Sequence, residues 1–227
     1  MKVKEMQLHQ RPREKALMHG IEALSNRELI ALLLRNGTRS QSVLELADEV
    51  LNRYSSLGSL GQTSLTELME IDGIKQAKAI ELQAAFALGK RIAFDVLKES
   101  EAISSPQKLS EWLMQQIGFQ QQEHFLVVFL NQRNQILAYK TLFVGTLTSA
   151  NVHPREIFKE AMRIGCAKII CAHNHPSGNP QVSDADIAIT QQIMECGQLV
   201  SIPLLDHIVV GGNRYVSLRE EGYMREI

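Results

Sequence analysis

Ala172-His173-Asn174-His175-Pro176-Ser177-Gly178, continued to Ser183-Asp184-Ala185-Asp186, decides how the second half of the chain folds. Just before it, Lys168-Ile169-Ile170-Cys171-Ala172 is a short apolar run with β-branched residues, which reads as a buried strand. His173 and His175 stand two apart at its end. Side chains alternate along a strand, so both imidazoles leave on one face. Pro176, Gly178 and Pro180 then force a loop. Ser183 opens the next helix, with Asp186 in its first turn. Two histidines from one strand end and one carboxylate from a nearby helix make a three-ligand set. Zinc in catalytic sites takes three N or O ligands and keeps the fourth position for water.

Each part alone has a plainer reading. A His-x-His pair is as readily structural as metal-binding. Ser183 with Asp186 fits a capping box in which a shorter carboxylate replaces the usual Glu; Ser183 can serve that cap and a site together. The complete pattern is far more specific: His-x-His, seven residues, Ser, two residues, Asp. It resembles the JAMM (MPN+) metalloprotease motif, and His173-Asn174-His175-Pro176-Ser177-Gly178 is similar to the bacterial RadC-like family within it. The resemblance to RadC-like proteins runs over nearly the whole chain, and its JAMM part over residues 105–227. It implies Zn2+ on His173, His175 and Asp186, a metal-activated water, and protein or peptide substrates cleaved at peptide or isopeptide amides. It also implies that Ser183 donates its hydroxyl to the tetrahedral oxyanion, where charge develops in the transition state.

Amide hydrolysis also needs a proton shuttle. The JAMM pattern places a Glu upstream, at the start of a strand that follows a helix. Glu123 is in that position, after the helix around Trp112 and at the mouth of the 124–130 run. On the residues alone, the plainer reading of Glu123 is a solvated strand-end charge. Glu156 is the rival: Val152-His153-Pro154-Arg155-Glu156 resembles another RadC-like signature. Pro154, however, sets Glu156 in a first helical turn, where an acid is favoured by the helix dipole anyway. His153 and Arg155 are candidates for lining the cleft, and His207 reads as structural, paired with Asp206.

Length and composition bound the alternatives. At 227 residues and 44% apolar, the chain suits one large or two modest globular domains. A formal net charge of -1 gives no global basic field of the kind nucleic-acid binders usually carry. No apolar run reaches the roughly 20 residues of a membrane span. Met1-Lys2-Val3-Lys4-Glu5-Met6-Gln7 lacks the apolar core of a signal peptide, so a cytoplasmic location without membrane contact is expected. Cys166, Cys171 and Cys196 are too few for a disulfide framework. Cys171 shares strand parity with the histidines but reads as a small core residue.

In chain order, residues 1–20 read as a polar segment. Residues 21–92 read as all-helical, with capping boxes at Ser25/Glu28 and Ser64/Glu67, a helix stop at Asn36-Gly37 and a new start at Ser40. An internal repeat at an offset of 36 pairs Leu32 with Leu68, Gly37 with Gly73, Val43 with Ala79, Leu46 with Leu82 and Val50 with Phe86. Its second copy, Leu68 to Lys75 with Ala79, resembles the helix-hairpin-helix DNA-binding motif, whose hairpin amides face a phosphate. The usual second Gly is Lys75 here, so Lys75 and Lys78 become the candidate DNA contacts. A plain helical packing module is the equal alternative.

Residues 93–104 lose periodicity and read as a linker. From 105 to 227, strands and helices alternate with at least one hairpin, so an α/β domain with a mixed sheet flanked by helices is expected. His124–Leu130 reads as a central strand buried on both faces, Ile136–Val144 as its return, and Ile208–Val210 with Arg214–Val216 as a late hairpin.

Two functions follow. One is a zinc-dependent hydrolase. The other is a DNA-associated, repair-linked binding module in which the metal domain is structural or regulatory. A nucleobase deaminase would want a Cys-x-x-Cys ligand pair, which the sequence lacks.

Overall fold

The computed structural model describes residues 5–99, 106–145 and 152–224. The chain divides into two units, Met1–Gly89 and Lys90–Ile227.

The first unit is helical: α1 (Pro12–His19), α2 (Asn26–Leu34), α3 (Val43–Asn52), α4 (Leu57–Leu60), α5 (Leu65–Met69) and the first part of α6 (Gln76–Glu99). Ser25 and Ser64 start α2 and α5, each accepting from the N–H three residues on while that Glu returns a bond to the serine N–H. α3 starts at Ser42 rather than Ser40. The reason is the residue three positions on: Ser42 has Glu45 there, whereas Ser40 has Val43 and instead meets the Thr38 hydroxyl at 3.2 Å.

The polar segment 1–20 is more ordered than its sequence suggests. Pro12 begins α1 and is buried, Met6 packs on the core, and Lys15 pairs with Glu28 at 2.9 Å. α1 has no apolar stripe to betray it, and Leu17 is 87% exposed. The helix is held at Pro12 and Lys15, not along an apolar face.

The core joins α2, α3, α5 and α6 through Leu34, Leu46, Val50, Leu68, Ile74 and Leu82. Leu46 and Leu82, partners in the repeat, are both fully buried there. The two glycine turns also meet. Gly73 has φ +86, and a Cβ on it would stand 2.4 Å from Thr38 Cγ2. Lys78 bridges them, its Nζ donating to Gly73 O at 3.0 Å and Gly37 O at 3.4 Å. Burial pushes the Lys78 ammonium down from its ordinary range.

Residues 93–99, expected in a linker, lie in α6. Leu97 is buried, with Ala93 and Phe94 packed beside it in one cluster with Leu109, Trp112 and Leu113. That helical spacing is masked in the sequence by the charges of Asp95, Lys98 and Glu99. Phe94, Trp112 and Tyr139 form an aromatic trio with centroids 4.6 to 5.5 Å apart. The rest of the expected linker, 100–104, lies outside the described residues.

The second unit is a mixed five-stranded sheet flanked by helices, the expected α/β arrangement. The order is β2 (Ile136–Val144), β1 (His124–Leu130), β3 (Lys168–Asn174), β4 (Leu204–Gly211), β5 (Arg214–Ser217). β1 runs antiparallel to β2 and β3, β3 is parallel to β4, and β4 turns back into β5. β1 and β3 are central and apolar on both faces, which is why their sequences run without alternation. On one face, Phe125, Val127 and Cys171 pack with α8 (Pro154–Ile164) and α9 (Asp184–Leu199). On the other, Leu126, Val128 and Ala172 pack with α7 (Pro106–Ile117). Among the described residues, no helix is long and apolar enough to cross a membrane.

Candidate metal centre

Alternation along β3 decides the site. His173 follows Cys171 onto the face covered by α9, while Asn174 points the other way. The parallel β3–β4 pairing sets Cys171 beside His207 on the same face. The antiparallel pairing sets Phe125 of β1 opposite His173, and the two rings stack nearly parallel, with centroids 6.3 Å apart. The strand ends at Asn174, and the chain turns at once. His175 N–H donates to Val210 O, and Gly178 N–H donates back to His175 O. Gly178 has φ +77, which favours glycine. Arg214 clamps this turn through Gly178 O at 2.9 Å.

α9 then brings Asp186 in. Ser183 is its N-cap, and the capping box read from the sequence is present with Asp in the Glu role. Asp186 Oδ2 accepts from Ser183 Oγ at 2.7 Å and from Ser183 N–H at 2.8 Å. A shorter side chain holds the carboxylate closer to the helix end than Glu would. Here that end faces the histidines: His173 Nε2 lies 3.0 Å from Asp186 Oδ1, His175 Nε2 3.5 Å from Oδ2, and the two Nε2 atoms 3.1 Å apart. The ligand atoms of His173, His175 and Asp186 all fall within 4.8 Å of one another, so the group can hold a metal ion.

The protonation pattern fits a cation. His175 Nδ1 faces Asn179 O at 3.0 Å. A carbonyl only accepts, so the ring proton sits on Nδ1 and the neutral ring offers a bare Nε2. Burial alone would push the Asp186 carboxyl up. The hydrogen bonds from His173 and His175 more than offset this and hold it well below the usual carboxylate range. His175 is raised from its ordinary 6.5, first by its bond to Asp186 and in part by the Glu123 charge.

Glu123 is therefore close enough for its charge to act on His175. The β1–β3 register, carried two steps past Phe125–His173, puts it opposite His175. Its backbone is fixed from several sides. Asn174, fully buried, accepts from His124 N–H at 2.7 Å and donates to Gln120 O and Gln122 O at 3.2 and 3.1 Å. Gly145 N–H donates to Glu123 O at 2.9 Å. The residue between the two histidines is thus the latch of the loop that carries Glu123.

The metal-ligand group does not include the other candidates. Glu156, in the first turn of α8, pairs with Arg155 at 3.2 Å and Lys159 at 3.5 Å. His153 and Arg155 are exposed. Cys171 is fully buried, and burial pushes its thiol up, as suits a core residue. His207 is not paired with Asp206 through its ring. Asp206 Oδ1 accepts from the His207 backbone N–H at 2.7 Å, and its Oδ2 from Ser217 Oγ at 2.7 Å. The His207 ring, fully buried, instead lies between His173 Nδ1 (2.9 Å) and Thr190 Oγ1 (2.6 Å). Sequence patterning singles out neither Thr190 nor Asn174. Only their helix and strand parity with Asp186 and the histidines hints at them.

Residues 103–223 match the RadC-like JAB domain, and residues 3–80 match the UPF0758 N-terminal domain. The chain belongs to the RadC-like JAB domain family. A UPF0758 protein of Bacillus cereus (strain B4264) is 44% identical over 222 residues, covering 98% of this chain and 99% of that one. A UPF0758 protein of Bacillus licheniformis is 46% identical over 224 residues, covering 99% of this chain and all of the relative. Neither name states an activity.

Proposed function

We propose that the protein is a zinc-dependent hydrolase of peptide or isopeptide amide bonds. The observation that carries this is the convergence of His173 Nε2, His175 Nε2 and the Asp186 carboxylate at the end of a buried strand. In this reading those three residues hold the ion. Zinc bound there supplies a water pKa lowered to roughly 7 and Lewis-acid polarisation of a carbonyl. The chain supplies the rest. Glu123 takes the water's proton and passes it to the leaving nitrogen. The Asn174 latch and the Gly145 bond keep its backbone fixed while it does so. Ser183 donates to the developing oxyanion once its hydroxyl turns from Asp186 Oδ2, and Ser183 N–H still holds that oxygen. A donor of this kind is worth on the order of 3 kcal/mol.

The test is metal analysis of the purified protein with a peptide-library cleavage screen, run with and without chelator. About one zinc per chain and chelator-sensitive cleavage support the reading. Stoichiometric zinc in the doubly substituted His173→Ala/His175→Ala protein refutes it.

DNA contact by the helical unit, the second reading, rests on Lys75, since Lys78 is engaged by two carbonyls. Phosphate contacts make affinity fall steeply with salt, so DNA binding by the full chain that does not weaken with salt would count against it.

A further inference from the structure

Gly211 closes β4 where the strand meets the turn that follows His175. Its φ is not in the left-handed region, so its conformation does not call for glycine. Glycine weakens a strand and often marks the close approach of another backbone. Here that approach is explicit. A Cβ on Gly211 would stand 2.7 Å from Gly178 C, 2.8 Å from Gly178 O and 2.8 Å from Pro180 N. All three are backbone atoms, so no side chain can swing away to make room. Asn179, the residue between these two, presents the carbonyl that faces His175 Nδ1 at 3.0 Å. The same stretch is tied on both sides of Gly211. Val210 O accepts from His175 N–H at 2.8 Å, and Arg214 Nη2 donates to Gly178 O at 2.9 Å. The hairpin is itself held to the residue after α7, since Gly212 N–H donates to Gly118 O at 3.0 Å.

We infer that Gly211 and Arg214 are positioning residues for His175: Gly211, by carrying no side chain, seats the 178–180 turn against β4, Arg214 holds it there, and the His175 ring is thereby aimed at the ligand group. A metal-binding histidine is usually oriented by a partner on its other nitrogen. For His175 that partner is Asn179 O, and Asn179 is exposed. What fixes its carbonyl is Gly178 and Pro180 on either side, and both abut Gly211. A methyl group on Gly211 must push the turn away and carry Asn179 O off the ring. His173 and Asp186 come from β3 and α9 and do not depend on the turn. The effect is thus directed at one ligand of the three. Gly212 is the contrast. Its φ of +58 favours glycine, but a Cβ on it would meet nothing nearer than Phe119 Cε1 at 4.0 Å. One glycine serves backbone conformation and its neighbour serves space.

The inference rests on His175 being a metal ligand, and the test separates the two ideas. Zinc affinity is measured by competition with a chromophoric chelator in full-length wild type, Gly211→Ala, Arg214→Ala and Gly212→Ala. Cobalt(II) absorption in the same proteins reads the coordination geometry. Amide hydrogen exchange at His175 and Gly178 in metal-free protein reads how firmly the turn is seated. Gly211→Ala should weaken zinc roughly 10–100-fold, the usual scale for losing an outer partner, shift the cobalt spectrum and speed both exchanges. Arg214 is exposed, so Arg214→Ala spares the core and should do the same to a smaller degree. Gly212→Ala strains the same hairpin without touching the turn. It should lower stability and leave zinc affinity and the cobalt spectrum as in wild type. Wild-type zinc affinity in folded Gly211→Ala overturns the inference; where that variant does not fold, wild-type affinity in Arg214→Ala does so. Equal weakening in Gly212→Ala also overturns it, because the hairpin would then act through stability alone. A wild type that binds neither ion sinks the metal reading and the ligand role of His175 with it, and the exchange rates still decide whether Gly211 and Arg214 seat the turn.

Discussion

The two units use polar side chains in opposite ways. In the helical unit, polar groups end helices at the surface. Ser25/Glu28, Ser42/Glu45, Ser56/Ser59 and Ser64/Glu67 are all capping boxes, and the core behind them is apolar. In the α/β unit the same box occurs at Ser183/Asp186, but there Asp186 is only 6% exposed and faces two histidines. Around it His173, Asn174, Thr190, Asp206, His207 and Ser217 are buried as well. Buried polar groups are destabilising unless each finds a partner. These do, and the His173 Nε2, the His175 Nε2 and the Asp186 carboxylate are left facing one another. The helical unit uses its polar groups for shape, and the α/β unit arranges them to leave donor atoms over.

The largest effect should come from breaking that arrangement at its charge. Asp186→Asn removes the only carboxylate of the ligand set. Zinc affinity should fall by more than the roughly 100-fold typical of losing an outer partner, with the protein still folded by circular dichroism. An Asp186→Asn protein that keeps stoichiometric zinc would mean that the buried box is only a cap, like the four in the helical unit.

Next is the proton shuttle. Glu123→Gln should keep zinc and lower kcat by 10²–10⁴-fold, about 3–5 kcal/mol of barrier. Glu156→Gln, which loses only ion pairs with Arg155 and Lys159, should leave kcat within a few-fold. The reverse pattern at matched zinc occupancy moves the base to α8.

Asn174→Ala comes third. It strands His124 N–H and the carbonyls of Gln120 and Gln122, at about 1–3 kcal/mol for each group that water cannot reach. It should also loosen the loop that carries Glu123. Denaturant unfolding reads the first effect, and a fall in kcat without zinc loss reads the second.

How much of this is visible in the sequence follows the range of each interaction. The strands β1 and β3 declare themselves by local apolar runs, and three of the capping boxes by a Ser and an acid three residues apart. His173, His175, Ser183 and Asp186 lie within fourteen residues, so their spacing carries the pattern. The Asn174 latch and the burial of His207 against His173 do not show. Asn174 meets His124 across 50 residues and His207 meets His173 across 34, distances that only the sheet register closes. The helical course of 93–99 is hidden for a different reason: Ala93, Phe94 and Leu97 make a narrow stripe among charges, and the partners that bury it come from later in the chain.

A pH series on metal-free protein tests the site's charges. The folded His175 value lies above its ordinary 6.5, chiefly through its bond to Asp186. Its contribution is therefore complete below 6.5 and lost as pH rises through the raised value. Asp186 is the opposite case: its folded value is depressed, so its contribution is present above its ordinary 3.8 and lost only as strong acid protonates it. Metal-free protein should thus lose stability as pH rises from 6.5 through the raised His175 value, in proportion to how far that value stands above the unfolded one, roughly 1.4 kcal/mol per pH unit. Zinc should reverse the trend, because ligands must be deprotonated and its affinity rises with pH. Identical slopes with and without zinc would show that the ion binds elsewhere.

The smallest effect discriminates best between the two uses of one motif. Ser64→Ala and Ser183→Ala remove the same cap, a hydroxyl that accepts from the N–H three residues on. Each should cost about 1 kcal/mol of stability, within the usual range of roughly 0.5–2. For Ser64 the matter ends there, because Glu67 is an exposed surface acid. For Ser183 the change also takes a 2.7 Å donor from Asp186 Oδ2 and leaves only the backbone N–H to aim that oxygen. Zinc should then bind more weakly, by less than in Asp186→Asn. If Ser183 also serves the oxyanion, kcat should fall by a further 10²–10³-fold at saturating metal. Equal destabilisation of the two variants, with the Ser183→Ala protein unchanged in zinc affinity and kcat, would place Ser183 with Ser64 as a cap alone. The oxyanion donor would then have to come from another group, and the contrast between the two units would rest on Asp186 and the histidines without it.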